Sequence, residues 1–203
     1  MSTRVTSHQS VLLFKGDSHS PFDSELLDRI REGDPAALQG IIDRHWDRLV
    51  EFAARLSGCR DSAADIAQRA LIRFWERRTS WRSGSEPRLI LYTLVRHEAF
   101  NEMKSDRARH RRAGKSKPLQ QVVPTPAETF AEAELLRVLN RAIGDLPPRR
   151  REALILARFH DMTHADIAKL MGLTPRTVTN HISTALGDLE EVLRIYIEGE
   201  SSR

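Results

Sequence analysis

The sequence is poor in cysteine, glycine and aromatic residues and has no long apolar run, and each shortage excludes something. Its 203 residues hold one cysteine, Cys59. A single thiol forms no internal disulfide and builds no multi-cysteine zinc site, and it suits a reducing compartment. Aromatics make up 6% and glycines number 10, which is thin for a β-sandwich or barrel. No stretch approaches the roughly 20 apolar residues that cross a bilayer. Near the N-terminus only Val11–Phe14 is apolar, shorter than the roughly 7–15-residue core of a secretion signal. A cytoplasmic protein without membrane insertion is expected. No phosphate-binding glycine loop, dinucleotide fingerprint or nucleophile motif occurs, so no enzyme, catalytic residue or cofactor is expected. His160 and His164 lie four apart with no third ligand at useful spacing, so no metal is expected either.

What is present is helical. The hydrophobic share is 40% and the charged share 30%, with a net charge of +4. That suffices for real cores, and two small ones fit the length better than one large one. The distribution of charge says more than its sum. Between Lys104 and Lys117 stand seven basic residues, Lys104, Arg107, Arg109, Arg111, Arg112, Lys115 and Lys117, against the single acid Asp106. Such a stripe suits a polyanion partner, or equally a solvated helix face running into a basic linker.

Residues 1–20 are polar without a sustained period and read as a disordered tail. Phe22, Leu26, Leu27 and Ile30 mark a short helix ending near Gly33. Asp34-Pro35 is a helix start, an N-cap followed by proline at the first position. Leu38, Ile41, Ile42, His45, Leu49, Phe52, Ala53 and Leu56 then repeat at helical spacing until Gly58. Asp61 is suited to cap the next helix, whose apolar face is Ala63, Ala67, Ala70, Leu71, Phe74 and Trp75. Thr79–Pro87 reads as a loop. A further helix from near Arg88 carries Leu91, Tyr92, Val95, Ala99 and Met103 into the basic stripe. Prolines 118, 124 and 126 mark a flexible linker over 114–127. Helical pattern resumes through Ile143, breaks at Leu146-Pro147-Pro148, and continues over Arg149–His160. The fold class is all-α, two small helical domains joined by a flexible linker.

The sharpest segment is Thr163–Leu189. Thr163 caps a short helix containing Ile167, Ala168 and Leu170, and Gly172 allows a turn at positive φ. Leu173 plugs the junction, and Thr174-Pro175 starts a second helix. Val178, Ile182, Leu186 and Leu189 bury one side of it. Arg176, Thr179, Asn180 and Ser183 then point outward, with His181 at the side. All can donate hydrogen bonds and none is acidic, the chemistry of base edges and phosphates. The segment reads as a helix-turn-helix whose second helix is shaped for a major groove.

Leu146–Leu189, beginning LPPRRREALIL and running through ADIAKLMGLTPRTVTNHISTAL, resembles region 4 of bacterial extracytoplasmic-function (ECF) sigma factors. Asp61–Trp75, DSAADIAQRALIRFW, resembles the region 2 helix that docks on RNA polymerase. Leu91–Arg112, LYTLVRHEAFNEMKSDRARHRR, resembles the segment that melts and reads the promoter. The resemblance covers roughly residues 22–195 and divides the chain into a tail (1–20), a sigma region 2 helical bundle (21–113), a linker (114–127) and a sigma region 4 helix-turn-helix (128–198). Departures occur. The family usually has Gln-Glu where this chain has Gln68-Arg69, Trp at Ile90, Arg-Asn at Arg96-His97, and Asp at Asn101. The stretch TVTNHIS leans toward the iron-uptake regulator type.

The resemblance implies three surfaces. Asp65, Gln68, Arg69, Ile72 and Arg73 would dock on the coiled coil of the largest subunit of core RNA polymerase. Trp81 would wall a flipped base of single-stranded promoter DNA, with Tyr92, His97 and Phe100 on the following helix; Tyr92 and Phe100 suit a core equally well. Lys104, Arg107, Arg109, Arg111 and Arg112 would hold phosphates, and five such contacts give a log–log salt slope of roughly −3 to −5. Arg176, Thr179, Asn180, His181 and Ser183 would read duplex promoter DNA. A linker lets the two domains separate to reach distant promoter elements, and also allows a closed form held by an anti-sigma factor. The competing reading is a LuxR-type helix-turn-helix regulator that binds duplex operators alone. Its first half should then be a sensor or receiver, for which residues 22–112 offer neither alternating strands nor an acidic pocket.

Overall fold

The computed structural model describes residues 21–113 and 130–200. The expected tail (1–20) and linker (114–127) lie outside the described residues. Regular structure among the described residues is helical throughout. The first half comprises α1 (Pro21–Arg31), α2 (Pro35–Ser57), α3 (Ala63–Glu76), a short 3-10 turn (Arg78–Ser80) and α4 (Pro87–Ala113). The second comprises α5 (Phe130–Asp145), α6 (Pro148–Phe159), α7 (His164–Met171) and α8 (Pro175–Glu200).

Local chemistry sets the boundaries. The Asp34 carboxylate accepts from the backbone N–H groups of Ala36 and Ala37 at 2.8 and 3.4 Å, and Pro35 opens α2. Gly58 closes it at φ 70°, its N–H returning to the Ala54 carbonyl. A side chain at that φ would clash with its own backbone, so glycine is the residue that ends the helix there. The expected Asp61 cap is corrected: Ser62 occupies the cap position of α3, in helical backbone geometry and without a side-chain cap bond. A residue already turned into the helical region cannot aim its side chain back at the first N–H groups.

Helices α2, α3 and α4 pack around Leu49, Phe52, Ile66, Phe74, Leu91 and Val95, all fully buried. Helix α1 is tied to α2 at the buried Asp23, whose carboxylate lies 3.0 Å from both His45 Nε2 and Arg44 Nη1. In the second half, Ile155, Ile167, Val178 and Ala185 are fully buried between α6, α7 and α8. The two halves also touch, α2 against α6 and α4 against α7, a meeting that helical periodicity does not reveal.

Candidate nucleic-acid interface

The helix-turn-helix is built by short-range bonds. Thr163 Oγ1 accepts from the Asp166 N–H at 3.1 Å and starts α7. Gly172 ends it at φ 66°, and the Leu173 N–H reaches back to the Ala168 carbonyl at 2.9 Å. Thr174 Oγ1 accepts from the Thr177 N–H at 3.2 Å and starts α8. Val178, Ile182, Ala185 and Leu189 form its buried stripe. Leu186, expected inside, is 37% exposed, and Ala185 takes its place. After Ile182 the next inward position falls three residues on, at Ala185. Arg176, Thr179, Asn180 and Ser183 are exposed along one face, and His181 is half-buried beside them.

The α4 end of the first half is more constrained than its sequence suggests. Trp81 is half-buried: its ring stacks on Phe74 with centroids 5.9 Å apart, and its Nε1–H donates to the Phe74 carbonyl at 3.0 Å. One face and the indole N–H are therefore occupied. His97 and Lys104 are exposed. Phe100 is half-buried with the Arg96 guanidinium 5.0 Å from its ring centroid. Tyr92 belongs to the core, fully buried, and is withdrawn as a base-stacking residue. Arg109 is paired with Glu102 at 3.1 Å and with Asp106. Arg107, Arg111 and Arg112 lie on the last turns of α4, with side chains outside the described residues.

On α3, Asp65, Gln68, Ile72 and Arg73 are exposed, Ile72 by 50%. Arg69 turns toward α4, with Nη2 2.7 Å from Glu102 and Nε 3.4 Å from Glu98. Arg73 Nε lies 2.9 Å from the buried Glu98 carboxylate. The two helices are thus laced by charge along the face expected to dock.

Residues 41–109 match Sigma-70 region 2, and residues 136–189 match Sigma-70 region 4. The two matches follow each other in chain order and together take in more than half of the chain. The chain belongs to the sigma-70 family. Relatives place this sigma factor in the ECF class. It is 27% identical over 178 residues to the ECF RNA polymerase sigma factor SigM of Mycobacterium tuberculosis, covering 88% of each chain. It is 24% identical over 188 residues to the RNA polymerase sigma-H factor of Pseudomonas aeruginosa, covering 85% of this chain and 94% of that one. Its fold is shared with the sigma factor RpoE of Bartonella quintana, solved in complex with the anti-sigma factor NepR. That match has a TM-score of 0.67 at 23% identity, over 77% of this chain and 96% of that one. CnrH, solved with the cytosolic domain of CnrY, also gives 0.67, at 18% identity, over 86% and 98%.

His164, weighed in the sequence only as a metal ligand, lies beside the outward face of α8. His164, exposed at the start of α7, places Nδ1 3.0 Å from Thr179 Oγ1. Its spacing of fifteen residues from Thr179 matches no helical repeat, so only the turn brings the two together. The electrostatics also differ between the two DNA-facing helices. The described acids near Arg109 neutralise part of the α4 stripe, whereas no ion pair joins the outward residues of α8 among the described contacts up to Ser183.

Proposed function

We propose that this sigma factor binds core RNA polymerase and directs promoter-specific initiation through two units, residues 21–113 and 128–198, joined by 114–127. The first reads the melted minus-ten element and the second the duplex minus-thirty-five element. The matched order of region 2 and region 4 in one chain carries this reading. A stand-alone LuxR-type regulator would share the helix-turn-helix and lack region 2, so it is not favoured.

The residue roles are proposals supported by placement. Arg176, Asn180 and Ser183 offer exposed donors to base edges and phosphates, with Thr179 and His181 flanking. Trp81, through its remaining exposed edge, and His97 and Phe100 contact unpaired bases. Lys104, Arg107, Arg111 and Arg112 hold phosphates, with Arg109 available once its acids release it. Asp65, Gln68 and Ile72 contact polymerase, and Arg69 and Arg73 shape that face. An anti-sigma factor is proposed as a further partner, because RpoE and CnrH are each solved with an inhibitor or partner fragment. The iron-uptake type is proposed from Thr177–Ser183 alone. Sigma factors are non-catalytic, and we infer that this one works in the cytoplasm, where polymerase is; no described helix is long and apolar enough to cross a membrane.

Run-off transcription with purified core polymerase on a promoter library tests the reading. A transcript set that needs this chain supports it. Duplex binding without polymerase, and no transcript where a control sigma factor works, refutes it.

A further inference from the structure

A chain of charges runs from the α3 face into the basic stripe of α4. Arg73 Nε lies 2.9 Å from the buried Glu98 carboxylate, and Arg69 Nε lies 3.4 Å from the same group. Glu98 thus anchors the inner end of the Arg69 guanidinium, and Nη2 reaches Glu102 Oε2 at 2.7 Å. The second oxygen of Glu102, Oε1, lies 3.1 Å from Arg109 Nη2, seven residues further along α4. Asp106 holds that same Arg109 nitrogen. Glu102 is therefore a shared counter-ion. One oxygen faces an arginine of α3, and the other faces the arginine that the stripe offers to phosphates. The glutamate usual at position 69 would repel both Glu98 and Glu102, so the arrangement is particular to this chain.

The charge balance gives the bridge its effect. Arg69, Arg73 and Arg109 stand against Glu98, Glu102 and Asp106, so the two signs cancel. A DNA phosphate that takes Arg109 must displace Glu102 and Asp106 from it. With Arg69 in place, a displaced Glu102 keeps a cationic partner and its negative potential is offset. Without Arg69, the described contacts leave Glu102 only Arg109, and an unanswered carboxylate stands where the phosphate must approach. Glu102 is half-buried and Arg109 is exposed, so solvent screens the effect to the scale of a surface ion pair.

We infer that Arg69 is a positioning residue for the single-strand site. It draws Glu102 toward α3 and leaves Arg109 able to exchange its acids for a phosphate of the unwound promoter. Arg69 itself touches no DNA and acts through Glu102. The inference rests on the proposed promoter-melting role of α4.

Holoenzyme formed with saturating core polymerase tests it. The probe is a fluorescein-labelled promoter fragment recovered from the run-off library, with its minus-ten strand left unpaired, titrated across a salt series. Arg69→Gln should lower affinity about twofold to fivefold at low salt. It should also flatten the log–log salt slope by up to about 0.7, the share of one phosphate on a single strand. Arg69→Lys keeps a cation within reach of Glu102 and should restore most of both. Glu102→Gln should act in the opposite direction, raising affinity and steepening the slope. The decisive readout is the double-variant cycle. The Arg69→Gln effect should vanish when Glu102→Gln or Arg109→Gln is already present. An effect of full size in either background means that Arg69 meets DNA directly or acts as a general charge, and overturns the inference. So does an Arg69→Gln holoenzyme with wild-type affinity and slope. If Arg69→Gln loses helical circular dichroism, Glu102→Gln carries the test, its gain expected in the wild-type chain and absent beside Arg109→Gln. A wild-type chain that yields no promoter in run-off transcription overturns the initiation reading itself, a result seen before any variant is compared.

Discussion

The Thr179 hydroxyl has no hydrogen left to donate to a base. It donates to the Pro175 carbonyl at 3.1 Å and meets His164 Nδ1 at 3.0 Å, leaving one lone pair to accept from a base and its methyl for contact with a thymine methyl. Asn180, by contrast, presents its whole amide. Asn180→Ala should therefore cost about 1–3 kcal/mol of duplex affinity and relax one base position. Thr179→Val should keep sequence preference nearly intact. Fluorescence anisotropy on a set of single-base promoter variants separates the two. A second contrast lies on α3. Ile72, 50% exposed and outside the buried core, should weaken polymerase binding when changed to Ala while leaving the melting temperature nearly unchanged. Arg69→Ala should cost up to about 1 kcal/mol of stability, the scale of a partly exposed ion pair. Parallel pull-down and thermal melts check this. The sequence places Arg69 on the docking side, yet Glu98 and Glu102 sit on another helix, so only packing reveals where its charge goes.

Capping and periodicity are legible in the chain at the level of single helices, because both act within a few residues. Asp34, Thr163 and Thr174 cap through their side chains, and Gly58 and Gly172 end helices at positive φ because they have none. Thr163→Ala should destabilise the second half by about 1 kcal/mol through loss of the α7 cap, read as a shift in urea midpoint. Periodicity fails where a neighbour decides which side is inside. Leu186 is the larger apolar residue, yet Ala185 is the one buried, because the packing of α8 and not residue size decides which side faces inward. Trp81 looked free in a polar loop, yet Phe74, seven residues earlier, takes both its face and its N–H. The basic stripe is likewise weaker than a count from Lys104 suggests, since Glu102 lies just upstream and reaches Arg109. With four rather than five phosphate contacts, log affinity for promoter DNA should fall with log salt at a slope of about −3 to −4. Filter binding across a salt series measures it.

For the whole molecule, the join between the halves also controls acid sensitivity. Burial, with Arg48, Arg55 and Arg88 adding to it, pushes His160 down from 6.5 to about 3. The unfolded chain therefore binds a proton that the folded chain refuses. The contribution of His160 to folded-state stability is full above pH 6.5 and falls as pH drops toward 3, by at most about 1.4 kcal/mol per pH unit. Burial raises Glu152 despite Arg96, which acts in the opposite sense: the folded chain holds that proton longer, and the contribution of Glu152 falls as pH rises above 4.5. The difference in acid stability between wild type and His160→Gln isolates the histidine. That difference should shrink as pH falls below 6.5, as measured by urea titrations at fixed pH.

The sequence by itself determined an all-helical chain, most of its helix boundaries, and the donor-rich outward face of α8, because those follow from spacing, caps and side-chain chemistry within one or two turns. Tertiary structure alone decided that Arg69 and Arg73 lace α3 to α4, that Tyr92 is core, and that Glu152 and His160 are buried against the other half. Those outcomes depend on which surfaces face each other across long separations in the chain, and the free energy of a charge is set by what surrounds it in space.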